Sequence, residues 1–97
     1  MWGWKAVERE IQTARPINSA RALLKEAGFV EEMDSETYFL FRRPGNDFAF
    51  RGEKAPLELT LMKNDQGLFF QLRYDVFVLF DTGDLKKIAD TLEELLR

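Results

Sequence analysis

Residues 57–96 read LELTLMKNDQGLFFQLRYDVFVLFDTGDLKKIADTLEELL, and this stretch decides the fold. Leucine occupies every second position from Leu57 to Leu61, which is the pattern of a strand with one buried face. Residues 64–67, Asn-Asp-Gln-Gly, are a turn signal in which the glycine can adopt a positive φ. A second alternating run extends from Leu68 to Tyr74. The two runs therefore predict an antiparallel hairpin.

The same stretch continues with a third apolar run and a helix. Residues 76–80 are all apolar and predict a further strand, reached through a tight reversal or a bulge after Tyr74. Residues 81–84, Asp-Thr-Gly-Asp, lead into a helix over residues 83–96 and offer N-capping side chains. Its apolar positions recur at helical spacing and comprise Leu85, Ile88, Ala89, Leu92, Leu95 and Leu96. We therefore expect this helix to cover one face of the sheet.

Upstream of this stretch, the sequence predicts another helix followed by another hairpin. The helix covers residues 19–27 and ends at Gly28, a residue type common just after a helix. Its apolar stripe comprises Ala20, Leu23, Leu24 and Ala27. Residues 29–33 and 37–42 then read as two strands joined by a turn at residues 34–36.

The N-terminal residues predict an additional helix. Trp4, Val7 and Ile11 fall at positions i, i+3 and i+7 within residues 3–14, which places them on one helical face. Pro16 then interrupts the pattern. We expect this helix to lie at an edge of the sheet or against its open side.

Together these elements predict an α+β fold in one domain, residues 1–97. We expect a four- to five-stranded antiparallel sheet, mostly a meander, with the helices at residues 19–27 and 83–96 packed on one face. The N-terminal helix is additional to these two.

The composition limits the chemistry. The chain contains no His and no Cys, which removes the usual zinc and copper ligands, thiol nucleophiles, disulfides and the common neutral-pH base. The net charge is −3 and the sequence pI is about 5.0, unlike a typical duplex binder. No apolar run is long enough to cross a membrane. We predict a small soluble cytoplasmic protein with no metal, no cofactor and no enzymatic activity.

A basic and aromatic segment, residues 42–54, is the main candidate for binding a partner. Cations interleaved with aromatic rings can hold phosphates and stack on unpaired bases. The candidate residues are Arg42, Arg43, Phe48, Phe50, Arg51 and Lys54. The alternative is an ordinary solvated loop whose phenylalanines dock on the core. Trp2 and Trp4 near the N-terminus either dock on the core or contribute to a partner surface.

Three functions remain open. We favour a non-catalytic protein-interaction or assembly module, with a nucleic-acid-binding domain using residues 42–54 and a small-ligand-binding domain as alternatives. Strand alternation predicts an apolar set on the sheet face that the helices leave open, comprising Phe69, Val76, Val78 and Phe80. Large exposed apolar patches usually mark interfaces, so we expect a homodimer or the N-terminal helix to cover that face.

Overall fold

The computed structural model describes residues 6–45, 55–75 and 83–97. Its elements in chain order are β1 (Val7–Gln12), α1 (Ile17–Glu26), β2 (Val30–Asp34), β3 (Phe39–Arg43), β4 (Leu57–Asn64), β5 (Gly67–Tyr74) and α2 (Asp84–Leu96). The strands form a five-stranded sheet, and the α+β class predicted from the sequence is confirmed.

The sheet is a meander with one strand added at its end. Its order is β1-β5-β4-β3-β2, and every neighbouring pair is antiparallel. Strands β2 to β5 therefore follow one another in both chain and space, while β1 pairs with the far side of β5. In the middle of the sheet Leu59 lies opposite Phe41 on one side and Leu72 on the other.

Both helices lie on the same face of the sheet. The alternating positions predicted to be buried are buried there, including Leu57, Leu59 and Leu61 of β4. α1 runs over Ile17–Glu26 and α2 over Asp84–Leu96, within two residues of the predicted bounds. The core side of α2 comprises Leu85, Ala89, Leu92 and Leu96, all buried, with Ile88 and Leu95 half-buried beside them. In the described part of the chain no helix is long and apolar enough to span a membrane.

The predicted N-terminal helix is wrong, because the chain forms strand β1 there. Val7 and Ile11 are four positions apart, so they share a face in a strand as well as in a helix. Val7 lies opposite Leu72 and Ile11 opposite Leu68, and Ile11 is buried in the core. Pairing with β5 therefore places the two apolar side chains against the core and supplies hydrogen-bond partners for the backbone of β1. An isolated helix ending before Pro16 would bond its own backbone but would not place these side chains against the core. Trp4 lies outside the described residues.

The turn between β4 and β5 forms as predicted, and it also supports β1. Gly67 begins β5 opposite Gln12, and a Cβ built on it would lie 2.0 Å from the carbonyl oxygen of Ile11. Only glycine lets the two backbones approach this closely. The strand predicted at residues 76–80 lies outside the described residues.

Candidate functional site

The structure separates the two arginines that begin the basic segment. Arg42 and Arg43 are the last two residues of β3, and successive side chains of a strand point to opposite faces. Arg42 lies opposite Glu58 on the open face, whereas Arg43 lies opposite Leu57 on the face covered by the helices. The pair therefore does not form one cationic patch, and each arginine has its own surroundings.

On the open face, Glu58 connects three neighbouring strands. Only 7 % of Glu58 is exposed, although its alternation with Leu57 and Leu59 predicts a solvated side chain. Arg42 Nη2 donates to Glu58 Oε2 at 3.1 Å, and Arg73 Nε donates to Glu58 Oε1 at 2.8 Å. The carboxylate is thus held from both sides by charge-assisted hydrogen bonds, which offset the free energy of burying it.

Two further carboxylates surround Arg42. Arg42 Nε lies 3.2 Å from Glu32 Oε2 and 3.8 Å from Asp75 Oδ2. The negative charges of Asp75 and then Glu32 raise the pKa of Arg42 above its usual range, and the hydrogen bond to Glu58 adds to this. Arg42 is therefore compensated within the protein, which leaves little of its charge for an external phosphate.

Arg43 lies in contrasting surroundings. Its guanidinium carbon lies 5.2 Å from the centroid of the Phe29 ring, and its aliphatic stem runs beside Gly28 at the end of α1. Burial lowers the pKa of Arg43 below its usual range. Within the described ranges no carboxylate lies at ion-pair distance from Arg43. A half-buried cation without a counter-charge is unusual, because desolvation disfavours the charged form.

Arg43 borders a cavity between the end of α1, the end of β3 and one side of α2. Its volume is about 420 Å³, and it is lined by Ala27, Arg43, Lys87, Ile88, Thr91, Leu92 and Leu95. The described lining combines apolar walls with two cations and one hydroxyl, and no acidic side chain belongs to this described part. Lys87, like Arg43, forms no ion pair with a described residue.

The open face of the sheet carries an apolar band next to the Glu58 row. Leu40, Thr60, Met62 and Phe69 lie on this face and are half-buried. Towards the β2 edge the band continues into the two most exposed large apolar residues of the described ranges, Val30 at 58 % and Met33 at 46 %. Phe69 thus lies on the predicted face, while Val76, Val78 and Phe80 lie outside the described residues.

The β2 edge is acidic and irregular. Its pairing with β3 shifts by one residue between Glu31 and Met33, which indicates a β-bulge. Arg21 of α1 donates to Glu31 from two of its three guanidinium nitrogens, Nε at 2.8 Å and Nη2 at 2.6 Å, and Nη2 also lies 3.5 Å from Asp34. The Arg21 hydrogen bonds hold the pKa of Glu31 below its usual range. The acidic run at residues 31–36 therefore serves in part to attach α1 to the sheet.

The other predicted partner-binding residues cannot be placed. Trp2, Trp4, Phe48, Phe50, Arg51 and Lys54 lie outside the described residues. The sequence interpretation also missed Lys87 and Thr91, which belong to the polar side of α2 but border the cavity. Strand alternation alone could have separated Arg42 from Arg43, whereas no local signal identifies a cavity built from three distant elements.

Neither a metal-binding group among the described residues nor a similarity to a known protein indicates a function for this site. In the described ranges no group of three or more acidic side chains is arranged to hold a metal ion. No protein family, no curated protein and no solved structure matches the chain. The site is therefore interpreted from its own chemistry.

Proposed function

We propose that this chain is a non-catalytic protein-interaction or assembly module that forms a homodimer through the open face of its sheet. The observation that carries the proposal is the apolar band of Leu40, Met62 and Phe69, extended by exposed Val30 and Met33. Both helices pack on the opposite face, and an exposed apolar patch of this kind usually marks an interface.

The edges of the sheet are less suited to association than its face. A bulge and three acidic residues occupy β2, and bulges and charges are common devices against edge pairing. β1 carries Glu8, Arg9 and Glu10 within six residues. Packing through the face therefore fits the described structure better than extension of the sheet across a subunit boundary.

The charges on the open face favour a second copy as the partner. Glu8 and Glu10 lie on this face at its β1 side and are exposed. Arg73, with 56 % of its side chain exposed, lies on the same face near the opposite end of β5. A two-fold dimer brings the same patch together twice, so Glu8 or Glu10 of one copy can meet the exposed side of Arg73 in the other, in addition to the Glu58 carboxylate that Arg73 already binds.

The nucleic-acid alternative has less support from the described residues. Arg42 is compensated by three carboxylates, and Arg43 lies on the other face beneath the helices. A cytoplasmic location remains part of the proposal, since a chain without Cys has no disulfide to lose in a reducing compartment.

Sedimentation equilibrium at micromolar concentration tests the dimer. We expect twice the 11.4 kDa chain mass for the unmodified protein and a monomer for Phe69→Glu, which places a charge in the centre of the band. Lys86→Glu, an exposed change on the α2 side, is the matched control and should remain dimeric. A monomeric unmodified protein, or a Phe69→Glu variant that stays folded and dimeric, would overturn the proposed interface.

A further inference from the structure

We propose that the cavity between α1, β3 and α2 is a binding site for an aliphatic carboxylate, with the carboxylate on Arg43 and Lys87 and the hydrocarbon chain against α2. This site lies on the face opposite to the proposed dimer interface. The inference therefore does not depend on the proposed function.

The walls of the cavity suit a hydrocarbon chain. Ala27, Ile88, Leu92 and Leu95 contribute apolar surface from two helices. The volume of about 420 Å³ lies within the range of roughly 300–1,000 Å³ typical of small-molecule sites. Small-molecule sites usually combine such apolar walls with a few placed polar groups, and here those groups are Arg43 and Lys87, since the Thr91 hydroxyl donates to the carbonyl oxygen of Lys87.

The charges of the cavity select an anion. Among the residues that the structure describes, two cations border it and no acidic side chain does. Burial disfavours the charged form of Arg43, as its lowered pKa indicates, and among the described residues it has no carboxylate partner. A bound anion would supply the counter-charge that the described residues around Arg43 do not provide, and in a partly desolvated site this interaction is stronger than on the surface.

The geometry around Arg43 favours a carboxylate as that anion. The Phe29 ring lies beside the guanidinium, and the stem of Arg43 passes Gly28 at 3.5 Å from the position of a built Cβ, so the side chain has neighbours along its length before any ligand arrives. A guanidinium presents parallel N–H groups that match the two oxygens of a carboxylate. Arg42 differs from Arg43 in this respect, because three carboxylates already surround it.

Decanoate is a suitable probe, titrated below the concentration at which it forms micelles and followed by amide chemical shifts and calorimetry. We expect saturable binding with shifts confined to the end of α1, the end of β3 and the Lys87–Leu95 side of α2. Decanol has the same chain without the charge and should bind about tenfold more weakly or worse, because it lacks the charge-assisted hydrogen bonds. Acetate has the charge without the chain and should not bind measurably.

Matched variants locate the carboxylate. Arg43→Gln should weaken decanoate binding about tenfold or more, and Lys87→Gln about threefold. Lys86→Gln, on the adjacent exposed position outside the cavity, should leave the affinity unchanged. If Arg43→Gln fails to fold, Lys87→Gln and the decanol comparison still decide. Equal affinity for decanol, unchanged affinity in Lys87→Gln, or shifts confined to the open face would each overturn the inference.

Discussion

Glu58 accepts a hydrogen bond from Arg73 across the β4–β5 pair, with Arg73 Nε 2.8 Å from Glu58 Oε1. The other oxygen of the same carboxylate accepts a hydrogen bond from Arg42 of β3. One nearly buried acid therefore links three strands on a face that carries no helix among the described elements. This row fixes one end of the open face. Val30 lies in it opposite Arg42, and the rest of the apolar band proposed as the interface lies in the following rows.

We predict that Glu58→Ala lowers the free energy of unfolding by about 1–3 kcal/mol, because it leaves two arginines without their shared acceptor. Chemical denaturation measures this loss. Glu10→Ala is the matched control, since Glu10 lies on the same face but is exposed, and it should change stability by about 0.5 kcal/mol or less. Equal effects of the two changes would show that the Glu58 network contributes nothing specific.

The close approach of β1 to Gly67 gives a second prediction. An alanine Cβ there would meet the carbonyl oxygen of Ile11 at 2.0 Å and the backbone nitrogen of Thr13 at 2.8 Å. We expect Gly67→Ala to cost about 2 kcal/mol or more and to release β1, seen as faster amide hydrogen exchange over Val7–Gln12.

Gly83→Ala is the control for the Gly67 variant. Gly83 has φ of 90°, and apart from its chain neighbours no atom of the described residues lies within 4 Å of an added Cβ, so we expect its substitution to introduce mainly backbone strain of about 1–2 kcal/mol. Exchange over β1 should then remain slow. If both variants leave β1 equally protected, the contact between Gly67 and Ile11 does not hold β1 in place.

The elements that could be predicted from the sequence are those whose pattern is local. The β4–β5 hairpin follows from alternation around residues 64–67, and α2 follows from an apolar stripe that only a helix brings together. β1 was not predictable in this way, because Val7 and Ile11 share a face in either conformation. Pairing with β5, about sixty residues away in sequence, decides between the two.

The candidate sites show the same limit. The basic segment was visible as a cluster in sequence, but β3 sends Arg42 and Arg43 to opposite faces. The cavity joins Ala27, Arg43 and Lys87 from three elements, so only the packing of the helices on the sheet reveals it. The alternation of β4 predicted that Glu58 is exposed. It is buried because two neighbouring strands place arginines beside it.

The third prediction concerns the packing of α2. Leu92 is 3 % exposed, lies in the core cluster and also borders the cavity. We expect Leu92→Ala to lower the free energy of unfolding by about 2–5 kcal/mol, the usual range for truncating a buried leucine. Lys86→Ala, exposed on the same helix, should have an effect of about 0.5 kcal/mol or less. An unchanged melting temperature for Leu92→Ala would contradict the packing of α2 on the sheet.

The last prediction is a pH dependence that arises from Glu31. Two hydrogen bonds from Arg21, which also lies 4.2 Å from the Phe39 ring centroid, lower the folded-state pKa of Glu31. A lowered folded pKa means that the unfolded chain binds the proton more readily. The contribution of the Glu31 carboxylate to stability is therefore fully present above the unfolded pKa of about 4.3 and is lost as the pH falls through the folded pKa.

We expect the stability gap between the unmodified protein and Glu31→Gln to be constant near neutral pH and to shrink below about pH 4.3. Unfolding curves across this range measure the gap, and Glu36→Gln, an exposed change of the same kind in the same hairpin, is the matched control. A Glu31→Gln gap that stays the same from neutral to acidic pH would mean that the Arg21 contact does not stabilise the charged carboxylate.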